Sequence, residues 1–116
     1  MNTICHIEFE STDLGRSQAF YEALFGWTFR QFTDEMVVFG QGDKHIGGLQ
    51  KVASPRTGGS PSIWFDVEDL DAMVEKAMSI GGTLIQPKSE VPHVGWSAQV
   101  GDADGNTVGM VQFSER

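Results

Sequence analysis

The sequence predicts an α+β fold of two tandem βαβββ modules forming a curved mixed sheet around a shared cavity. Two observations carry this reading. The stretch His6 to Gly26, HIEFESTDLGRSQAFYEALFG, returns at Ser62 as SIWFDVEDLDAMVEKAMSIGG, and a constant offset of 56 pairs Ile7 with Ile63, Phe9 with Phe65, Asp13 with Asp69, Leu14 with Leu70 and Gly26 with Gly82. Both halves also place their apolar runs as a strand, a helix and three further strands, so each copy is one supersecondary unit. At 116 residues the chain fits one compact domain: module one at about residues 3–53, a linker at 54–60 and module two at about 61–114.

In module one, Ile4 to Glu10 alternates, with Cys5, Ile7 and Phe9 pointing one way and His6, Glu8 and Glu10 the other, the pattern of a half-buried strand. Asp13 is placed to cap the following helix, Leu14, Phe20, Tyr21, Leu24 and Phe25 supply its apolar contacts, and Gly26 stops it. Trp27 to Phe32, Met36 to Phe39 and Ile46 to Val52 are short apolar runs separated by the turn signals TDE and GQGDK. The Pro/Gly/Ser stretch Ser54 to Ser60 is the linker.

Module two opens with Ile63, Phe65 and Val67 on the buried side, leaving Ser62, Trp64 and Asp66 on the face that carries His6 and Glu8 in module one. Leu70, Met73, Val74, Ala77 and Met78 follow at helical spacing and are core filler. Thr83 to Gln86, Trp96 to Val100 and Thr107 to Phe113 complete the copy. Ile46 to Gln50, IGGLQ, matches Val108 to Gln112, VGMVQ, at an offset of 62, six more than the main repeat. The extra residues are expected in Pro87 to Gly95, PKSEVPHVG, read as a loop that is either a plain surface connection or a rim over the concave face.

The chain is acidic, with a formal net charge of −8. Nucleic acid and anionic membrane surfaces need a basic footprint, so neither is an expected partner, and no run is long enough to span a bilayer. A single cysteine, Cys5, excludes an internal disulfide and suits a reducing cytoplasm, the expected location, and no secretory signal is visible.

The duplicated unit, the DL-x(5)-FY helix start (Asp13, Leu14, Phe20, Tyr21) and the phrase DADGN at 102–106 make the chain resemble the vicinal oxygen chelate superfamily of glyoxalase I, extradiol dioxygenases and bleomycin resistance proteins. The phrases ALFGWTF, QPKSEVPHVG and GDADGNTVGMVQ resemble its lactoylglutathione-lyase-related branch. In metal-dependent members, the resemblance implies one ligand from the first strand of each module and one carboxylate from the last strand of each. Here those positions carry His6, Ser62, Gly47 or Gly48 depending on register, and Gly109. Glycine offers no ligating side chain and a lone imidazole does not hold a metal, so no metal and no other cofactor is expected. A cluster of His6, Glu8, His93 and Asp66 is the alternative ligand set, and His45 is expected to be solvated.

The remaining inward residues, His6, Glu8, Gln50, Trp64 and Asp66, with His93 and Trp96 near the rim, have the composition of a small-molecule pocket. The tryptophans offer stacking surface and the carboxylates can meet a cation, so the expected ligand is a small organic molecule, aromatic or cationic. Two other readings remain. One is a glyoxalase- or hydroxylase-like enzyme with His6 or Glu8 as catalytic base, or with a non-standard divalent metal. The other is an accessory module with a vestigial cavity. The resemblance further implies a homodimer.

Overall fold

The computed structural model describes residues 1–55, 61–101, 103 and 106–115. Among them it contains eight strands and two helices, in two βαβββ repeats, as the sequence predicts. By packing the chain forms two compact units, Cys5–Ser62, and Met1–Ile4 together with Ile63–Arg116. The first residues thus side with the second module: Asn2 donates its backbone N–H to the carbonyl of Asp66 at 2.6 Å, and Asp66 donates to Thr3 at 2.8 Å. Most of the expected linker, residues 56–60, lies outside the described residues, as do Asp102, Asp104 and Gly105 of the DADGN phrase.

Module one consists of β1 (Ile4–Ser11), α1 (Leu14–Phe25), β2 (Thr28–Thr33), β3 (Met36–Gln41) and β4 (Lys44–Lys51), with the strands in the order β2-β3-β4-β1. β1 runs parallel to β4, and the other pairs are antiparallel. Asp13 caps α1 by accepting from the N–H of Arg16 at 3.0 Å, and Gly26, at φ 71°, donates to Glu22 in the left-handed conformation that glycine adopts without steric cost. Beneath α1 lies an aromatic stack. Phe9 sits 5.2 Å from Tyr21 and 6.3 Å from Phe39, and Trp27 stacks on Phe39 at 4.6 Å. Val37, Phe39 and Leu49 are buried with it.

The helix itself is less embedded than its sequence predicts. It holds no buried residue, and Phe20, Leu24 and Phe25 are each more than half exposed. The apolar residues of α1 encircle too much of the helix for one sheet face to cover, so Tyr21 enters the stack, while Phe25, 4.7 Å from Trp27, and Phe20, edge-on to Tyr21, flank it and stay more than half exposed.

Module two consists of β5 (Ser62–Asp66), α2 (Leu70–Ser79), β6 (Thr83–Val91), β7 (Gly95–Gly101) and β8 (Thr107–Phe113), in the order β5-β8-β7-β6. Asp69 caps α2 through the N–H of Ala72 at 3.1 Å, and the side-chain carbonyl of Gln112 accepts from the N–H of Leu70 at 2.8 Å. The α2 stripe packs on Val67, Ala98, Val100 and Met110, as its spacing predicts. Leu70 is fully buried, worth about 2 kcal/mol of transfer free energy. Ile63, expected on the buried side with Val67, is 38% exposed.

The segment Pro87 to Gly95 corrects the sequence reading most. Residues 87–91 continue β6, and the connection to β7 is the short turn at 92–94. β6 lies at the outer side of its sheet, where a proline removes no ladder bond that a neighbour needs. Register shifts between Leu84 and Gln86 and between Gln86 and Ser89 absorb two of the six additional residues as bulges.

Candidate functional site

On module one, the sheet face away from α1 carries the polar residues of the repeat. Phe9 enters the stack under the helix, so the alternation of β1 turns His6, Glu8 and Glu10 to the opposite face. β4 resolves the open register. A Cβ on Gly47 would lie 1.8 Å from the carbonyl oxygen of Ile7, so this position accommodates only glycine. A Cβ on Gly48 would lie 3.4 Å from Cε1 of His6 and 3.2 Å from the sulfur of Met36, which places Gly48 on the His6 face. Gln50, two residues further along β4, shares that face and donates to the carbonyl of Lys51 at 3.4 Å.

His6 has an unexpected partner. Its Nδ1 lies 2.8 Å from Nε2 of His45, and the rings stack with centroids 5.0 Å apart. His45, predicted to be solvated in its turn, is instead tied to β1. One ring donates and the other accepts, so the pair is neutral in its relaxed form. Burial, with His45 adding to it, lowers the pKa of His6 to about 4. Burial and then Arg30 lower that of His45. The contact joins residues 39 apart that meet only once β4 is laid parallel to β1, and no spacing in the sequence announces it.

A cleft of about 250 Å³ opens beside this pair. It is lined by Thr28 and Arg30 of β2, Val38 of β3, Asp43 of the β3–β4 turn, and Lys44 and His45 at the start of β4. None of Arg30, Lys44 or His45 was a predicted binding residue. The signal available was two cations close to a Gly-Asp turn in an otherwise acidic chain.

On module two, Trp64 pairs with Gly109 across the parallel β5–β8 ladder. A Cβ on Gly109 would lie 2.5 Å from Cδ2 and Cε3 of the indole, which therefore covers that glycine directly. The glycine positions are accordingly occupied by neighbouring side chains: the Trp64 ring overlies Gly109, and Met36 and His6 close over Gly48. Asp66 shares the Trp64 face by alternation on β5.

Trp96 is placed elsewhere than predicted. It packs with Ala98 and Val100 in the α2-side core, with the ammonium of Lys88 5.4 Å from its ring centroid, and Lys88 bonds Asp71 of α2 at 3.2 Å. It lies on the α2 side because residues 96, 98 and 100 share one face of β7. His93 sits exposed in the β6–β7 turn at φ 67°.

The fit of a metal follows from this geometry. Of the four ligand positions implied by resemblance, only His6 offers a nitrogen. Gly48 and Gly109 are both covered by neighbouring side chains, and among the described residues no three His, Cys, Asp or Glu side chains converge.

The family model of the Glyoxalase/Bleomycin resistance protein/Dioxygenase superfamily matches residues 3–110. The chain belongs to this superfamily. The mycobacterial protein named "Putative glyoxylase CFP32", from Mycobacterium bovis, is 26% identical over 118 residues, which cover 91% of this chain and 44% of that protein. The chain thus spans less than half the length of this curated relative. Among solved structures, methylmalonyl-CoA epimerase from Mycobacterium tuberculosis is similar at a TM-score of 0.75 and 16% identity, covering 97% of this chain and 88% of that one. The Mn(II)-bound glyoxalase from Novosphingobium aromaticivorans is similar at a TM-score of 0.73 and 16% identity, covering 96% and 38%. At these identities the likeness is one of fold.

Proposed function

We propose that this member of the superfamily binds a small organic molecule and works without the usual set of metal ligands. The observation that carries the reading is the covering of Gly109 by the Trp64 indole. It takes the space a strand-end carboxylate would need and presents an aromatic plane in its place. Trp64 offers a stacking surface, and Asp66 beside it can meet a cationic group, so aromatic cations are the first class to test. Glu8 extends the same chemistry on module one.

An enzyme using His6 as base is the weaker reading. A ring whose pKa has fallen to about 4 is a feeble proton acceptor at neutral pH, where catalysis favours a base near the working pH. The lactoylglutathione-lyase-related branch, a cytoplasmic location and a homodimer complete the proposal. The exposed Phe20, Leu24 and Phe25 of α1 supply apolar surface for a second copy, and a dimeric mass at micromolar concentration is the expected result.

Tryptophan fluorescence during titration with a panel of aromatic cations tests the binding reading. A saturable response that disappears in Trp64→Leu is expected. If every response persists in that variant, or none is found, the proposal fails.

A further inference from the structure

The cleft beside the histidine pair has a charge opposite to the chain as a whole. Two cationic side chains, Arg30 and Lys44, line it against one carboxylate, Asp43, in a protein of formal net charge −8. Among the described residues neither cation has an ion-pair partner, whereas Lys88 is paired with Asp71. The two arrive from different elements. Arg30 is held in β2 opposite Val38, and Lys44 begins β4 opposite Gln41, after a turn that Gly42 closes at φ 60°. Cations presented from β2 and β4, the two strands that flank β3, hold their separation better than cations on a loop. A guanidinium offers parallel N–H donors that match a carboxylate or phosphate, and an ammonium adds a compact charge. At about 250 Å³ the cleft suits a small acid or a single head group.

We propose that this cleft binds the oxyanion of a small organic ligand, a carboxylate or a phosphate, gripped by Arg30 and Lys44. The inference deepens the small-molecule reading by giving module one an acidic ligand group, and it rests on that reading only for the ligand being small. An anion here also offsets the repulsion that Arg30 exerts on His45. The charged and titratable groups facing that ring are Arg30 from β2, Asp43 and Lys44 from its own hairpin, and His6 from β1.

The test is an amide NMR titration of the whole chain with inorganic phosphate and, separately, with propionate, at constant ionic strength. Saturable shifts confined to residues 28–30 and 43–45 are expected, together with His45 titrating at higher pH in the presence of the anion. Arg30→Gln should weaken binding by about tenfold, the loss of one charge-assisted grip. Asp43→Asn should tighten it about two- to threefold by removing an opposing charge. Lys44→Gln provides a second reading should Arg30→Gln fail to fold. Response to phosphate alone or to propionate alone identifies the source and supports the site in either case. No saturable shift at tens of millimolar of both anions overturns the proposal, as do shifts unaltered by both cation variants. The outcome is independent of the Trp64 fluorescence, which reports on module two.

Discussion

Folding makes the His6 ring harder to protonate. Its folded pKa of about 4 lies below the 6.5 of an unconstrained histidine, so between these values the unfolded chain binds the proton that the folded chain refuses. Stability contributed by the neutral ring is therefore complete above about pH 6.5 and is lost as pH falls toward 4. Urea unfolding at pH 7 and at pH 4.5 should differ by about 2 to 3 kcal/mol from this group, with most of the difference absent in His6→Gln. The partner has its own cost. His45→Ala leaves the half-buried Nδ1 of His6 without its bond, and thermal unfolding should register a loss of about 1–2 kcal/mol. At Gly109 the prediction is steric: Gly109→Ala forces the indole away from contact at 2.5 Å, costing about 1–3 kcal/mol and changing Trp64 emission. His45 was expected to be solvated in its turn, whereas the faces of His6 and Trp64 were legible in the sequence, because strand alternation separates His6 from Phe9 and Trp64 from Phe65. Their contacts were not. The His6–His45 bond depends on the parallel register of β1 and β4, and the cover over Gly109 depends on β5 pairing with β8, neither of which leaves a local pattern.

At the scale of elements, the helix boundaries were the best signalled features. Asp13 and Asp69 cap where the repeat aligns them, and Gly26 closes α1 in the left-handed region. Asp69→Ala should destabilise the fold by about 1 kcal/mol through the orphaned N–H of Ala72, a change that thermal denaturation resolves. The strand β6 was misread at its second half because Pro87 and Pro92 are turn signals in any local reading. At the outside of a sheet, the missing N–H of Pro87 costs little, and the bulges on either side of Gln86 let nine residues run beside seven. Trp96 was misplaced with the loop it was thought to follow. Once β6 and β7 form a hairpin, alternation puts its ring on the α2 side under Lys88.

For the molecule as a whole, the duplication was readable in the sequence and carried the superfamily with it, and the family match over residues 3–110 agrees. Chemistry was less legible, since the superfamily places different sites on one scaffold. This chain places a glycine under Met36 and His6 in module one, a glycine under Trp64 in module two, and a His6–His45 pair on the face that carries Gly48. The central proposal is that the chain binds a small molecule and that His6 is held by His45 rather than by a metal. Elemental analysis of the purified chain, after incubation with manganese, zinc and nickel and removal of free ions, addresses it most directly. The account predicts far less than one ion per chain, unchanged in His6→Ala; a stoichiometric divalent ion that is lost in His6→Ala would contradict it.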